Sequence, residues 1–302
     1  MTTLLAVPNV SEGRDPAAIR ALATAFAGPR HDAGAEHARL LDVHSDADHH
    51  RSVFTLAGEP GRIAEAVVVG AREALERIHL DRHDGIHPRV GALDVAPIVY
   101  LDERDRGAAC AEALVLGDML GHELELPVLL YGELAGGRTR AQIRTGGPAA
   151  LSEKIASGEL RPDFGPRRLH PSAGAVLVAA RPPLVAFNVE LAPPATLEDA
   201  RGIAAVIRQG GSEGLESVRA IGLWMAHGGI AQVSTNVEDH RATPLSEILS
   251  AVARHASASA TELVGLAPRA AFDGFPGDMP VRGLATIEDA LAAGSRARTK
   301  LP

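Results

Sequence analysis

Hydrophobic and polar residues alternate along the first half of the chain in short blocks that predict strands and helices. Apolar strand patterns occur at residues 4–7, 40–43, 51–57 and 93–99. Helical patterns occur at residues 17–26, after an Asp-Pro start signal, and at residues 62–78. The order is therefore β-α-β-β-α-β, the ferredoxin-like arrangement. A helix at 109–124 and a strand at 128–131 are predicted to extend this unit.

The same order of elements recurs in the second half. Strand patterns occur at residues 184–191, 218–225, 230–237 and 262–264, and helical patterns at 197–209 and 245–254. This recurrence is one of element order and not of residue identity. We predict an α/β (α+β) fold of two ferredoxin-like subdomains, 1–182 and 183–302, the second of which ends in a peripheral tail with a weak helix at 287–291.

Between the two repeats, residues 132–172 are rich in Gly, Pro, Arg and Ser. This composition predicts mainly loop, with one short helix at 149–156 and a strand at 175–180 after it. Loops of this length in compact proteins are often functional.

Composition narrows the classes of function. The chain has 302 residues, 46% of them hydrophobic, and its 30 basic and 38 acidic residues leave a net charge of −8. This balance argues against a nucleic-acid partner, which basic residues would have to bind. No apolar run is long enough to span a bilayer, and the first residues lack a secretory signal, so we expect a cytoplasmic protein. A single cysteine excludes an intrachain disulfide and a cysteine-rich zinc site.

Residues 82–94 concentrate polar side chains and backbone breakers, a combination typical of catalytic and binding loops. Within this loop Pro88 favours extended backbone at His87. Gly85 and Pro88 disfavour the helical turn that would bring His83 and His87 to one side. An imidazole at His87 would suit proton transfer near neutral pH.

Other interpretations of the polar residues stay open at this point. Six of the 13 histidines lie between residues 44 and 87, which would suit a metal-dependent hydrolase or solvated loops. Its metal ligands would be His44, His49, His83 and His87. The amides of Asn9, at a strand end, and Asn188, inside an apolar strand, could bind a polar heterocycle or belong to turns and buried networks.

Seven short motifs, taken in order, resemble the formiminotransferase domain family. They are Val-Pro-Asn-Val-Ser-Glu-Gly (7–13), Leu-Leu-Asp-Val (40–43), His-Pro-Arg-Val-Gly-Ala-Leu-Asp-Val (87–95), Leu-Tyr-Gly-Glu (130–133), Pro-Asp-Phe-Gly-Pro (162–166), Ala-Phe-Asn-Val (186–189) and Ala-Gln-Val-Ser-Thr-Asn (231–236). The resemblance extends from residue 4 to about residue 272. A cyclodeaminase domain has no counterpart, so we expect a transferase with one activity.

The resemblance implies two ferredoxin-like subdomains with a substrate groove between them, in a homodimer. The implied reaction moves a formimino group from N-formimino-L-glutamate to N5 of tetrahydrofolate, a co-substrate, with His87 as general acid/base and without a metal. Substrate-binding or orienting roles are expected for Asn9, His44, Asp46, Arg51, Arg89 and Asn188. The implied folate segment consists of Gly165, Pro166, Arg167, Arg168, Leu169, His170, Pro171, Ser172, Ala173 and Gly174.

This sequence departs from the family pattern close to the expected site. His44-Ser45-Asp46 replaces the usual Asp-Ser-Gly, and His50 replaces an asparagine. We therefore predict that the carboxylate that orients His87 is displaced to Asp46 or Asp48. The altered charge leaves two further hypotheses open. One is another formimino or formyl donor, or action on 5-formyltetrahydrofolate, and the other is a folate-binding protein without turnover.

Overall fold

A computed structural model describes residues 2–28, 38–85, 88–293 and 298–300. The chain divides into two units, Met1–Arg181 with Ser295–Pro302, and Pro182–Gly294. In the first unit the elements are β1 (Leu4–Ala6), β2 (Asn9–Val10), α1 (Pro16–Ala27), β3 (Arg39–Asp46), β4 (Arg51–Gly58), α2 (Ile63–Arg77), β5 (Leu93–Tyr100), α3 (Arg106–Glu123), β6 (Val128–Leu130), α4 (Arg140–Arg144), α5 (Gly147–Ser157) and β7 (Val176–Arg181).

These strands form one mixed sheet in the order β3-β4-β1-β5-β7-β6, and β2 lies beside β1 between β4 and β5. The four strands of the predicted repeat, β3, β4, β1 and β5, are antiparallel neighbours. Strands β7 and β6 extend the sheet in parallel. The first unit is therefore a ferredoxin-like unit with added strands, as predicted.

Apolar residues of the first unit pack on both faces of its sheet. Helices α1, α2 and α3 cover one face, where the rings of Phe26 and Phe54 lie 4.8 Å apart. A Cβ at Gly70 in α2 would lie only 2.0 Å from the Phe26 ring, so glycine allows this close packing. On the opposite face, Ile143 of α4 and Leu151 of α5 pack against the β6–β7 end.

The second unit repeats the arrangement. Its elements are β8 (Val185–Leu191), α6 (Leu197–Ile207), β9 (Val218–Met225), β10 (Ile230–Val237), α7 (Leu245–Ala253), β11 (Ala258–Val264), β12 (Val281–Arg282) and α8 (Ile287–Ala292). The strand order β12-β11-β8-β10-β9 contains the ferredoxin-like order. Helices α6 and α7 pack on one face of this sheet. The prediction of two ferredoxin-like subdomains is thereby confirmed.

Two predictions of secondary structure were wrong in detail. Residues 132–172 contain two helices, α4 as well as α5, where a single helix was predicted. The signal for α4 is a capping box, in which Thr139 and Gln142 bond each other's backbone N–H groups. Strand β11 begins at Ala258 and not at residue 262. Its first four residues are small or weakly polar, so their alternation gave no hydrophobic signal.

The end of the chain contributes one further strand, β13 (Arg298–Lys300), which pairs in parallel with β3 of the first unit. Among the described residues, no helix has the length and apolar character required to cross a membrane.

Glu112 of α3 supplies the cap for the start of α2. Its carboxylate is buried and accepts hydrogen bonds from the N–H groups of Gly61 at 2.7 Å and Ala64 at 2.9 Å. Since the N-cap residue Arg62 makes no side-chain cap bond, E112A should leave buried donors unsatisfied. We expect the free energy of unfolding in urea to fall by about 1–3 kcal/mol. The exposed E123Q is the control, and an equal effect of both variants would contradict this role.

Candidate active site

A buried cluster of charged residues lies where the ends of β2, β4 and β5 meet. Asp94 is fully buried, and its Oδ2 accepts hydrogen bonds from Arg51 Nη1 and Arg144 Nη2, both at 2.5 Å. Its Oδ1 accepts a hydrogen bond from the Val90 N–H at 2.7 Å. Asn9 Oδ1 accepts from Arg51 Nε at 3.0 Å, so Asn9 orients the guanidinium. The Asp94 carboxylate thus connects β5 with β4, with α4 and with the end of the 82–94 loop.

A local irregularity of β5 directs Asp94 into this cluster. Asn9 of β2 lies opposite Val95, whereas Val10 lies opposite Leu93, so Asp94 is an extra residue in the ladder. A bulge of this kind re-aims a side chain and ends regular pairing. The apolar residues on either side of Asp94 remain in the core, which leaves its carboxylate to be satisfied by the arginines.

The electrostatics of the cluster follow from its burial. Burial lowers the pKa of Arg51, Asp94 raises it, and the positive charges of Arg144 and Arg140 lower it again. An arginine remains charged under these influences. The cluster therefore presents more positive than negative charge, a property that favours anionic ligands.

The first half of the 82–94 loop is held by a pair of histidines. The rings of His50 and His83 stack with their centroids 4.2 Å apart. His83 Nδ1 accepts a hydrogen bond from the Gly85 N–H at 3.2 Å, and its Nε2 lies 3.0 Å from the His50 carbonyl oxygen. Only the neutral tautomer with the proton on Nε2 satisfies both contacts. In agreement, burial lowers the pKa of His83 to about 4, with Arg89 adding to the effect and the hydrogen bond to His50 opposing it.

Two arginines brace the same loop. Arg89 donates to the carbonyl oxygens of Gly85 at 2.8 Å and His83 at 2.6 Å. Arg14 donates to Asp84 Oδ1 at 2.5 Å. Arg89 thus binds the backbone of its own loop, and its expected substrate-binding or orienting role stays a prediction. His87 and Ile86 lie outside the described residues, so the catalytic role assigned to His87 also stays a prediction.

The altered segment at 44–50 comprises the end of β3 and the tight turn that connects β3 to β4. Asp46 Oδ1 accepts a hydrogen bond from the His49 N–H at 2.7 Å and lies 2.9 Å from His49 Nδ1. Burial raises the pKa of Asp46, but His49 and His44 outweigh this and lower it to about 2. His44 is buried on β3, opposite Val53. The described contacts of Asp46 lie within its own turn, and its orienting role stays a prediction, as does that of Asp48.

The predicted folate segment, 165–174, meets the 82–94 loop through its backbone. Ser172 O accepts a hydrogen bond from the Leu80 N–H at 3.0 Å, and Ala173 O accepts from the Ala92 N–H at 2.9 Å. Gly174 has a φ of +72°, and a Cβ there would lie 2.1 Å from the Val90 carbonyl oxygen. The turn at the end of the segment is therefore bonded to the chain on both sides of His87. Arg167 and Arg168, by contrast, are exposed.

Asn188 belongs to the second unit, on the face of the sheet opposite α6 and α7. It is buried, and its Nδ2 donates to Glu262 Oε2 at 3.1 Å. Along the same face, Glu190 forms an ion pair with Arg282. Gln232, directly opposite Glu190 in the neighbouring strand, is fully buried, and neither amide atom has a hydrogen-bond partner among the described residues. Asn188, Glu190 and Gln232 are therefore three buried polar residues on this face.

In the part of the chain that the structure describes, a metal site is absent, and a cleft lies away from the predicted site. The described residues contain no group of three or more His, Cys, Asp and Glu side chains that could hold a metal ion. A cleft of about 410 Å³ lies beside α4, lined by Ala135, Gly136, Gly137, Arg138, Gln142, Ile143, Lys154, Glu159 and Leu160. The cleft includes none of the residues that the sequence predicted for the site.

The sequence-based prediction missed two residues of the ion cluster. Asp94 stands in the His-Pro-Arg motif at the head of a strand whose residues are all buried. A carboxylate in that position requires partners, and this signal was available. Arg144 lies in the segment that was predicted to be loop, and only the capping box at Thr139 marked the helix that carries it.

The fold defines an α/β protein built of two ferredoxin-like units, the first of which holds a buried basic cluster next to a histidine-rich loop. Models of the formiminotransferase domain match the chain, the N-terminal subdomain at residues 3–181 and the second part of the domain at residues 186–273. The chain belongs to the formiminotransferase domain family.

Named relatives agree with this membership. The chain is 38% identical to formimidoyltransferase-cyclodeaminase of Gallus gallus, over 88% of this chain and 50% of the relative. It is 36% identical to glutamate formimidoyltransferase of Streptococcus pyogenes serotype M1, over 87% of this chain and 88% of the relative. It is 32% identical to glutamate formimidoyltransferase of Thermoplasma acidophilum, over 90% of this chain and 90% of the relative. The chain spans about half the length of its bifunctional relatives.

Replacement of Asp94 tests the ion cluster. D94N should leave two largely buried guanidinium groups without a counter-charge, and removal of one partner of a buried pair typically costs about 3–5 kcal/mol. We expect this loss in the free energy of unfolding in urea. D84N, which removes an exposed partner of Arg14, should cost less than about 1 kcal/mol. Equal stability of D94N and wild type would contradict the importance of the cluster.

The neutral state of His83 predicts a pH dependence. The pKa of His83 is about 4 in the folded protein, below the ordinary histidine value of 6.5, so the unfolded chain binds the proton first as pH falls. Acidification from about pH 6.5 to about pH 4 should therefore reduce stability. In H83F, which keeps a ring against His50 but cannot titrate, this part of the loss should vanish. Thermal unfolding of wild type and H83F at several pH values measures this loss of stability. The same dependence of stability on pH in both proteins would argue against a neutral His83.

Proposed function

We propose that this protein transfers the formimino group of N-formimino-L-glutamate to N5 of tetrahydrofolate, which is a co-substrate. Family membership supports the proposal, as do two relatives named glutamate formimidoyltransferase that the chain covers over 88% and 90% of their length. The structural observation that carries it is the backbone connection between the predicted folate segment and the loop of His87. A folate bound by residues 165–174 would therefore lie close to the 82–94 loop.

His87 would act as the general acid/base. Attack of N5 on the formimino carbon forms a C–N bond and a tetrahedral intermediate, and His87 accepts the proton that N5 loses. The same imidazole then protonates the glutamate nitrogen, whose bond to carbon breaks. One group with a pKa near neutrality can perform both transfers. Both ring nitrogens of His83 contact backbone groups, which requires a neutral ring. We therefore assign the proton transfer to His87, the other histidine of this loop.

The charge of the site suits the proposed donor. N-formimino-L-glutamate carries two carboxylates, and folates carry further glutamyl carboxylates. The arginines that share Asp94 give the first unit a buried positive surplus. Arginine binds carboxylates through charge-assisted hydrogen bonds. Arg51 is therefore proposed as part of the site that orients the anionic substrates, with Asn9 as its positioning residue.

A second candidate function keeps the scaffold but uses another formimino or formyl donor, or acts on 5-formyltetrahydrofolate. The contacts of the 44–50 segment support this alternative donor. The Asp46 carboxylate pairs with His49 within the turn, and His44 is buried where the family usually has an acidic residue. The pocket charge would then differ from that of the family, and the preferred donor with it.

The composition of the chain supports a proposal for its location, and its family resemblance supports one for its assembly. We propose a cytoplasmic homodimer that acts on small molecules and not on nucleic acid or membranes, without a resident metal. Asn188 is proposed to take part in substrate binding from the second unit. Arg167 and Arg168 are proposed to contact the folate or its glutamate tail, since both guanidinium groups are exposed.

A transfer assay with the H87A variant tests this function. Wild type, N-formimino-L-glutamate and tetrahydrofolate should yield 5-formiminotetrahydrofolate. H87A should lose about 100-fold or more of turnover, the scale of general acid–base catalysis, while its affinity for folate changes little. The control is H122A, which removes an exposed histidine on α3.

Three outcomes are decisive for the proposal. Full activity in H87A would contradict the role of the imidazole. Absence of transfer by wild type from formiminoglutamate, with transfer from N-formyl-L-glutamate, would favour the second candidate. Folate binding without turnover from either donor would indicate a binding protein.

A further inference from the structure

Helix α4 carries two basic residues, Arg140 and Arg144, close to the ion cluster. Arg140 and Arg144 lie one turn apart on this helix, so both side chains extend to the same side. The Arg140 guanidinium lies 5.6 Å from the centroid of the Tyr131 ring. Arg144 reaches Asp94. Tyr131 and Ile143, the neighbour of Arg144, belong to one buried apolar cluster. The helix thus joins Tyr131 to the ion cluster.

The charges around Arg144 do not balance. Asp94 is a single carboxylate, and it accepts hydrogen bonds from both Arg51 and Arg144. Arg140 adds a third positive charge near Arg51. A surplus of buried positive charge is costly in a protein unless an anion offsets it. The position of Arg144, at most 14% exposed in its side chain, therefore favours the binding of an anion.

Two buried hydrogen-bond donors in this region lack a partner within the described part of the chain. Neither Arg144 Nε nor the Tyr131 hydroxyl makes a hydrogen bond among the described residues, and Tyr131 is only 6% exposed. Nearly all buried polar groups in native proteins are hydrogen-bonded, so such groups point to a missing partner. A carboxylate offers two oxygens that can accept from a guanidinium and a phenol together. It would satisfy the donors and offset the charge.

We propose that Arg144, the Tyr131 hydroxyl and Arg140 form a subsite for the carboxylate of a glutamyl group. The identity of that group rests on the proposed function, since both the formimino donor and folate contain glutamate. Arg144 is the central residue, because it contacts Asp94 and retains an N–H for the ligand. Asp94 keeps Arg51 and the Val90 N–H as partners when Arg144 is replaced, so the fold should tolerate this change.

Isothermal titration calorimetry on the full chain tests the subsite without depending on turnover. The probes are N-formyl-L-glutamate for the donor and 5-formyltetrahydrofolate for the folate. R144Q should weaken the binding of one probe by about tenfold or more, as expected for a lost charge-assisted hydrogen bond. Y131F, which removes only the hydroxyl, should weaken the same probe by a smaller factor. R104Q, an exposed arginine paired with Asp102, should bind both probes as wild type does.

The arms of the experiment separate the two sources of the carboxylate. A loss confined to N-formyl-L-glutamate assigns the subsite to the donor. A loss confined to 5-formyltetrahydrofolate, with unchanged binding of its analogue that lacks glutamate, assigns it to the folate tail. Affinities within about twofold of wild type in both R144Q and Y131F overturn the proposal, and so does a wild type that binds neither probe. If R144Q does not fold, Y131F alone decides.

Kinetics then distinguish this proposal from the proposed function. If wild type catalyses the transfer, R144Q should raise KM for the assigned substrate more than it lowers kcat. Turnover by R144Q with unchanged KM for both substrates would refute the subsite and leave the function intact. Binding of the probes by wild type with loss in R144Q, but no transfer, would support the subsite and refute the function.

Discussion

The arrangement of the first unit depends on the burial of one carboxylate. A fully buried Asp94 is tolerated only with donors around it, and three are supplied by separate parts of the chain: Arg51 at the start of β4, Arg144 in α4 and the Val90 N–H at the end of the 82–94 loop. These contacts connect the sheet, a short helix and the loop in one network. The same network leaves a surplus of positive charge in a buried place, a property that favours the binding of anions.

Histidines in the first unit have different physical roles although they are close in sequence. His83 accepts a backbone hydrogen bond on one ring nitrogen and faces a carbonyl with the other, so it is held neutral as a structural residue. His49 instead pairs with Asp46 in the β3–β4 turn. A histidine-rich stretch therefore does not imply a metal site or several catalytic groups. The role of each histidine depends on the groups that its ring contacts.

The two units share a strand order but use their sheets differently. In the second unit one face carries the apolar core under α6 and α7, while Asn188, Glu190 and Gln232 are buried polar residues on the opposite face. In the first unit apolar groups cover much of both faces, and the charged cluster is confined to a bulge at one end. A common topology thus supports different chemistry, because side chains alternate between the two faces of each strand.

The sequence by itself determined the order of most strands and helices, because hydrophobic periodicity is a local property of the chain. It also carried the family motifs, and with them the expectation for His87. It did not determine α4, whose five residues are too few for a periodic signal. Nor did it determine the partners of Asp94. Arg144 is 50 residues away from Asp94 in the chain, and only the strand order and the bulge in β5 bring the two together. The 82–94 loop was recognised from its residues, but the groups that hold it were decided by the tertiary structure, because hydrogen bonds between distant segments depend on topology.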